Sequence, residues 1–187
     1  MRAFIAIELP KEIKEALAKL QELLKKTGAD VKWVEPQNIH LTLKFLGEIN
    51  ETQFDKIITA LTETAQNFAP FDIRISSLGA FPKIIYPRVI WVGVDKGDNE
   101  SGKIASWLEE KIGIPKETRD FSSHITIGRV RSPKNKADLI KDMENLKDYF
   151  GRINTEFKVT KISLFKSSLS PKGPTYEILK EVNLKTS

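Results

Sequence analysis

His40-Leu41-Thr42-Leu43 and His124-Ile125-Thr126-Ile127 are two copies of one pattern, and together they hold both histidines of the 187-residue chain. In an extended strand, residues i and i+2 face the same way, so His40 shares a face with Thr42, and His124 with Thr126. The intervening Leu41 and Leu43, like Ile125 and Ile127, then point into a core and hold the strand in place. Each copy therefore offers one imidazole and one hydroxyl, side by side, on a rigid backbone. Threonine is 12 of 187 residues, so both histidines meet Thr two places on by chance in about 0.4 per cent of such chains. A lone strand histidine is ordinarily a satisfied core residue. A matched pair at equivalent points of a repeat points to chemistry instead.

The surroundings of the two motifs repeat as well. Helical periodicity covers Lys11–Lys26, with Ile13, Leu17, Leu20 and Leu24 on one stripe before Gly28. It returns over Glu51–Phe68, from about Glu100 to Ile112, and over Lys136–Phe150. Runs of β-branched and aromatic residues with period-two alternation predict strands at Arg2–Glu8, Ile39–Phe45, Phe71–Ser77, Val89–Asp95, Ser123–Val130, Asn154–Phe165 and Tyr176–Leu184. The order strand, helix, histidine strand, helix, strand runs from Arg2 to about Ser77, and again from Val89 to about Phe165. Ile5 stands 35 residues before His40, and Val89 stands 35 before His124. This predicts one α+β domain over residues 1–187, made of two lobes (about 1–78 and 88–187) related by a pseudo-twofold axis. The turn-rich GAFPKIIYPR (Gly79–Arg88) is expected to link them.

Composition narrows the classes. Hydrophobic residues make up 40 per cent and charged residues 29 per cent, the profile of a soluble globular protein. The longest apolar runs, such as Val89–Val94, are too short to span a bilayer, so no membrane association is expected. The opening RAFIAIELP is too short for a secretory signal and reads as a first strand. With no cysteine there is no disulfide framework and no thiolate metal site, and a cytoplasmic protein is the default. The net charge of +5 favours a polyanionic partner. A lysine-rich solvated surface explains it equally well, so the charge permits nucleic acid without demanding it.

HLTL and HITI resemble the two H-x-T/S-x signatures of the two-histidine phosphoesterase superfamily. The flanking RAFIAIELP, HLTLKFLG and HITIGRV, and the C-terminal SSLSPKGPTYEIL (Ser167–Leu179), are similar to the bacterial and archaeal RNA 2′,3′-cyclic phosphodiesterases, long catalogued as 2′-5′ RNA ligases. The resemblance runs nearly end to end. It implies two antiparallel sheets with helices on their outer faces and the motifs lining a cleft between them. It also implies hydrolysis of RNA 2′,3′-cyclic phosphate ends, tRNA fragments among them, to 2′-phosphates. In that scheme His40 is the proton donor to the 3′-oxygen and His124 the acceptor from water. Arg129 is by the same resemblance an extra phosphate ligand, suited by its forked donors.

The residues agree with what that chemistry needs. Opening a cyclic phosphodiester in line requires a base for water and an acid for the departing oxygen, on opposite sides of phosphorus. Histidine, with an ordinary pKa near 6.5, serves either role, though the sequence does not orient the pair. Thr42 and Thr126 would hydrogen-bond the non-bridging oxygens as charge grows there. Strict alternation puts Arg129 on the face opposite His124, unless Gly128 hosts a bulge that re-aims it. Lys44 shares the parity of His40 and Thr42, which would let it touch the RNA backbone, but a solvated surface lysine is the expectation. Phe4, Tyr86 and Tyr176 are candidate base-stacking residues, although most aromatics in such a chain are core. GDNESGK (Gly97–Lys103) mimics a phosphate loop, but Ile104 replaces the Mg²⁺-binding hydroxyl and Asp98 and Glu100 stand where phosphates would sit; an acidic turn opening a helix fits better. The histidines have no acidic residue at short ligand spacing, so neither metal nor cofactor is expected, and a monomer is the default. Two other functions fit the same residues: ATP-independent 2′-5′ RNA ligation, and a non-catalytic RNA- or nucleotide-binding module. The presence of all four motif side chains weighs against the module.

Overall fold

The structure is a computed structural model that describes residues 1–115 and 121–185. Its helices are α1 (Lys11–Lys25), α2 (Glu51–Asn67), α3 (Asp98–Ile112) and α4 (Lys136–Asn145). Its strands are β1 (Arg2–Glu8), β2 (Val31–Trp33), β3 (His40–Glu48), β4 (Phe71–Lys83), β5 (Tyr86–Lys96), β6 (His124–Val130), β7 (Glu156–Val159), β8 (Lys161–Ser170) and β9 (Gly173–Asn183). The predicted helices are present. α1 buries Ile13, Leu17, Leu20 and Leu24, the stripe its spacing predicts. α2 opens with a capping box, in which the Asn50 side chain accepts from the Gln53 amide at 2.9 Å and the Gln53 side chain accepts from the Asn50 amide at 3.0 Å.

The strands form two antiparallel sheets, ordered β3-β1-β8-β9 and β2-β6-β5-β4-β7. In β3-β1-β8 and β6-β5-β4 the same design appears twice. Each has a histidine strand beside the first strand of its own repeat, followed by the last strand of the other repeat. The expected division into 1–78 and 88–187 thus separates the repeats along the chain, not the sheets. β2 and β4 cross into the five-stranded sheet, while β8 and β9 cross back into the four-stranded one. Helices cross as well. α1 lies beside α4, and α3, which follows β5, lies beside α2 and against β3. One apolar cluster runs through these helices and the backs of both sheets, so the two repeats share a core.

Three expectations change. The supposed linker Gly79–Arg88 is the end of a long β4–β5 hairpin turning at residues 84 and 85; its prolines and glycines suggested a turn, but the flanking residues stay paired. The run Asn154–Phe165 is two strands, β7 in one sheet and β8 in the other, broken at Thr160 where the chain changes sheet. The fourth helix stops at Asn145, and a 3₁₀ turn over Tyr149–Arg152 follows. Among the described residues, no helix is long and apolar enough to cross a membrane.

Candidate active site

β3 and β6, the two histidine strands, lie against each other where the sheets meet. The pairing registers show how each strand is shaped. In β3, Thr42 pairs with Ala6 and Lys44 with Ile5, so Leu43 is an extra residue. In β6, Thr126 pairs with Trp91 and Gly128 with Ile90, so Ile127 is extra. Both strands therefore bulge at the third residue after histidine. A bulge shifts alternation by one, so the side chains that follow change face, in β3 as far as a second irregularity at Leu46.

That shift decides Arg129. It pairs with Val89, which shares the parity of Trp91, the partner of Thr126. Arg129 thus stands on the His124–Thr126 face, the outcome that strict alternation denied. Its charge reaches the other sheet too. Burial raises the Tyr176 hydroxyl above the ordinary tyrosine pKa, while Arg129 and Arg2 act in the opposite sense. Tyr176 is itself packed edge-on against His40 at 5.4 Å. Arg129 thus acts on the hydroxyl of a residue that borders His40. Gly128 is required at this bulge, because a Cβ there would sit 2.8 Å from Val31 Cγ1 and 2.9 Å from Trp33 Cε3.

The same shift corrects Lys44. Past the bulge it turns inward with Ile5, is only 3 per cent exposed, and its Nζ meets Glu109 Oε1 of α3 at 2.8 Å. It is neither solvated nor available to a backbone phosphate. Phe45 takes the opposite course. It pairs with Phe4 on the cleft face and is 62 per cent exposed. Sequence reading missed Phe45. The signal was present, since Phe45 and Arg129 both stand five places after a motif histidine.

The imidazoles are held alike. His40 Nδ1 lies 2.6 Å from the Asn38 carbonyl and His124 Nδ1 lies 2.9 Å from the Ser122 carbonyl. A carbonyl oxygen can only accept, so each Nδ1 carries the proton and each Nε2 remains to exchange one with substrate. Asp98 fixes the start of β6 by accepting from the Ser123 amide at 2.9 Å. The phosphate-loop look-alike thus opens α3 and spends its first carboxylate on the neighbouring strand.

The environments differ. His40 stacks on Phe4 at 4.7 Å, and Phe4 stacks on Phe165 at 5.1 Å. Burial in this aromatic bed holds the His40 pKa below 6.5, the Asn38 carbonyl raises it, and Lys14 lowers it. His124 meets the edge of Phe81 at 5.1 Å and lies 6.5 Å from Trp91. Of the aromatics singled out in the sequence, Phe4 supports His40 from below, Tyr176 borders it, and Tyr86 lies outside the site under the Lys136 ammonium. A pocket of about 220 Å³ beside His40 is bordered by Glu8, Lys14, Asn38, Phe165 and Tyr176. Thr42 and Thr126 are half-buried beside their histidines. Among the described residues, no cluster of three or more metal-ligating side chains occurs.

The chain is similar to known proteins along nearly its whole length. The chain is 40 per cent identical to the RNA 2′,3′-cyclic phosphodiesterase of Methanocaldococcus jannaschii, over 97 per cent of this chain and 99 per cent of that one. It is 38 per cent identical to the protein of the same name from Aquifex aeolicus, over 98 and 97 per cent. Among solved structures it superposes on TT0787 of Thermus thermophilus with a TM-score of 0.79 and 28 per cent identity, covering 98 per cent of both chains. E. coli LigT in apo form gives 0.78 and 25 per cent, covering 99 and 98 per cent. The family described as LigT like Phosphoesterase matches residues 7–91 and 94–176, each span enclosing one histidine motif, and the chain belongs to that family.

Proposed function

We propose that this protein hydrolyses RNA 2′,3′-cyclic phosphate ends to 2′-phosphates by acid–base catalysis between His40 and His124, without a metal. The observation that carries the reading is the shared tether. Two imidazoles, from equivalent points of a repeat, both engage Nδ1 with a backbone carbonyl and keep Nε2 for proton exchange. On this reading His124 Nε2 takes the proton from water as its oxygen attacks phosphorus. The 3′-oxygen leaves in line and receives the proton of His40 Nε2, which balances the reaction. Thr42, Thr126 and Arg129 hold the non-bridging oxygens, where charge accumulates in the transition state. Phe45, exposed on the cleft face, offers a surface for a nucleobase. The same activity in relatives up to 40 per cent identical, by their names, supports the assignment.

The test is a short RNA with a 2′,3′-cyclic end, incubated in EDTA, with the phosphate position of the product determined. A 2′-phosphate is expected. His40→Ala and His124→Ala are each expected to lose about 10²–10⁴ in rate. Full activity in either variant, or activity that EDTA abolishes, refutes the mechanism. Joined strands from an added 5′-hydroxyl RNA would assign ligation to the same site. RNA binding without turnover would assign a binding module.

A further inference from the structure

We infer that Gln21, on the far side of the sheet from the cleft, is the positioning residue for Arg129: its side-chain amide pins the bulge at Ile127 that turns Arg129 towards substrate. The inference rests on the reading of Arg129 as a phosphate ligand and adds to it the residue that sets the arginine's face.

Gln21 lies in the buried stripe of α1, between Leu20 and Leu24, and is 2 per cent exposed. A primary amide there is costly unless its hydrogen bonds are made. Its two N–H donors are both used, one within its own repeat and one in the other. Nε2 donates to Val34 O at 2.8 Å and to Ile127 O at 2.9 Å. Ile127 is the extra residue of the β6 bulge, and Val34 directly follows β2, with its own amide donating to Ile127 O at 3.0 Å. One side chain therefore ties α1 to the bulged carbonyl and to the strand beside it.

A bulge disrupts the ladder locally, and here the carbonyl of the extra residue is held twice, by the Val34 amide and by the Gln21 side chain. If Ile127 slipped back into regular pairing, the next residues would exchange faces. Arg129 would then point under the sheet, towards the helices. The chemistry required at position 21 is narrow: a neutral group with two N–H donors, fitting an apolar stripe and bridging two carbonyls. Glutamine meets it. Methionine has the shape without the donors, and glutamate has one donor only when protonated.

The experiment measures kcat/KM on a short RNA with a 2′,3′-cyclic end for the parent, Gln21→Met, Arg129→Ala and the double variant, well below the melting temperature of each. Gln21→Met is expected to lower kcat/KM at least fivefold in the parent but less than twofold in the Arg129→Ala background, because the misplaced side chain is already gone. An equal loss in both backgrounds would mean a general structural defect and would overturn the inference, as would no loss in the parent. Gln21→Glu serves if Gln21→Met fails to fold, and the same background dependence is required of it. If Arg129→Ala alone leaves kcat/KM intact, the assignment of Gln21 falls with that of Arg129. The two-histidine reading is judged separately, by His40→Ala and His124→Ala.

Discussion

Phe4 lies between His40, at 4.7 Å, and Phe165, at 5.1 Å, with Tyr176 edge-on at 5.0 Å. Phe4→Leu removes these three ring pairs and a fourth, with Phe45 at 6.3 Å, and keeps an apolar side chain. At about 0.5–1.5 kcal/mol per aromatic pair, the four sum to roughly 2–6 kcal/mol. Neighbouring pairs are not additive and leucine recovers part of the contact, so the expected loss is about 2 kcal/mol. For a chain of this length that lowers Tm by roughly 4–8 °C. A second readout separates this site from ordinary core. Burial is the largest cause of the lowered His40 pKa, and a smaller neighbour readmits water, so the pKa of His40 rises towards 6.5. An NMR titration of the imidazole ring protons measures it directly. The sign for stability follows. A histidine with a folded pKa below its unfolded value contributes fully above pH 6.5, and that stability is lost as the pH falls from 6.5 towards the folded pKa. In Phe4→Leu this acid-side loss shrinks. A variant that melts earlier while His40 titrates unchanged, or lower, would refute the claim that Phe4 desolvates the imidazole.

Arg129→Lys keeps the charge but not the fork, and is expected to lower kcat/KM about tenfold; parent-like kcat/KM values across a substrate series would remove Arg129 from the site. Thr126→Val should cost about 10² in kcat with little change in stability, and Thr126→Ser should restore most of it. Equal kcat for the valine and serine forms would show that the hydroxyl does not act on the transition state. Gly128→Ala places a methyl 2.8 Å from Val31 and 2.9 Å from Trp33, which should cost about 1–3 kcal/mol in urea melts. An unchanged midpoint would mean that β2 yields freely.

Much of the fold is legible in the sequence because the signals are local. A continuous apolar run between Arg2 and Glu8 marks β1, and the Ile13–Leu17–Leu20–Leu24 stripe marks α1. The paired H-x-T pattern marks β3 and β6, since Leu41, Leu43, Ile125 and Ile127 are all buried as alternation requires. What alternation cannot supply is a change of phase or of sheet. The bulges at Leu43 and Ile127 depend on the partner strands, so alternation alone puts Lys44 on the wrong face and passes over Phe45. β2 is three residues long, below the length at which a period is readable. Thr160 lies in an unbroken β-like run, yet the chain passes there from one sheet to the other, a step governed by tertiary pairing. The carbonyl tethers at Asn38 and Ser122 are backbone contacts and leave no mark on residue type.

The pseudo-symmetry that places the two motifs also sharpens the difference between them. Both strands bulge at the same point and both send the fifth residue after histidine into the cleft, but one sends Phe45 and the other Arg129. The rows crossing the sheets there diverge in the same way. Phe45, Phe4, Phe165 and Ile178 pair in succession across β3-β1-β8-β9, whereas Lys32, Arg129, Val89 and Phe81 do so across β2-β6-β5-β4. One wall is apolar and aromatic, the other carries two cations. A cyclic nucleotide end, the proposed substrate, is polar in the same sense, with a base on one side and a charged phosphate on the other, and on that proposal the cleft takes it in one orientation. The imidazoles inherit the difference. His40 sits desolvated in the aromatic wall, which by itself favours its neutral form, so as the acid of the proposed mechanism it needs the charge of the bound phosphodiester to hold its proton. On that proposal the two copies of one motif take opposite halves of the proton transfer.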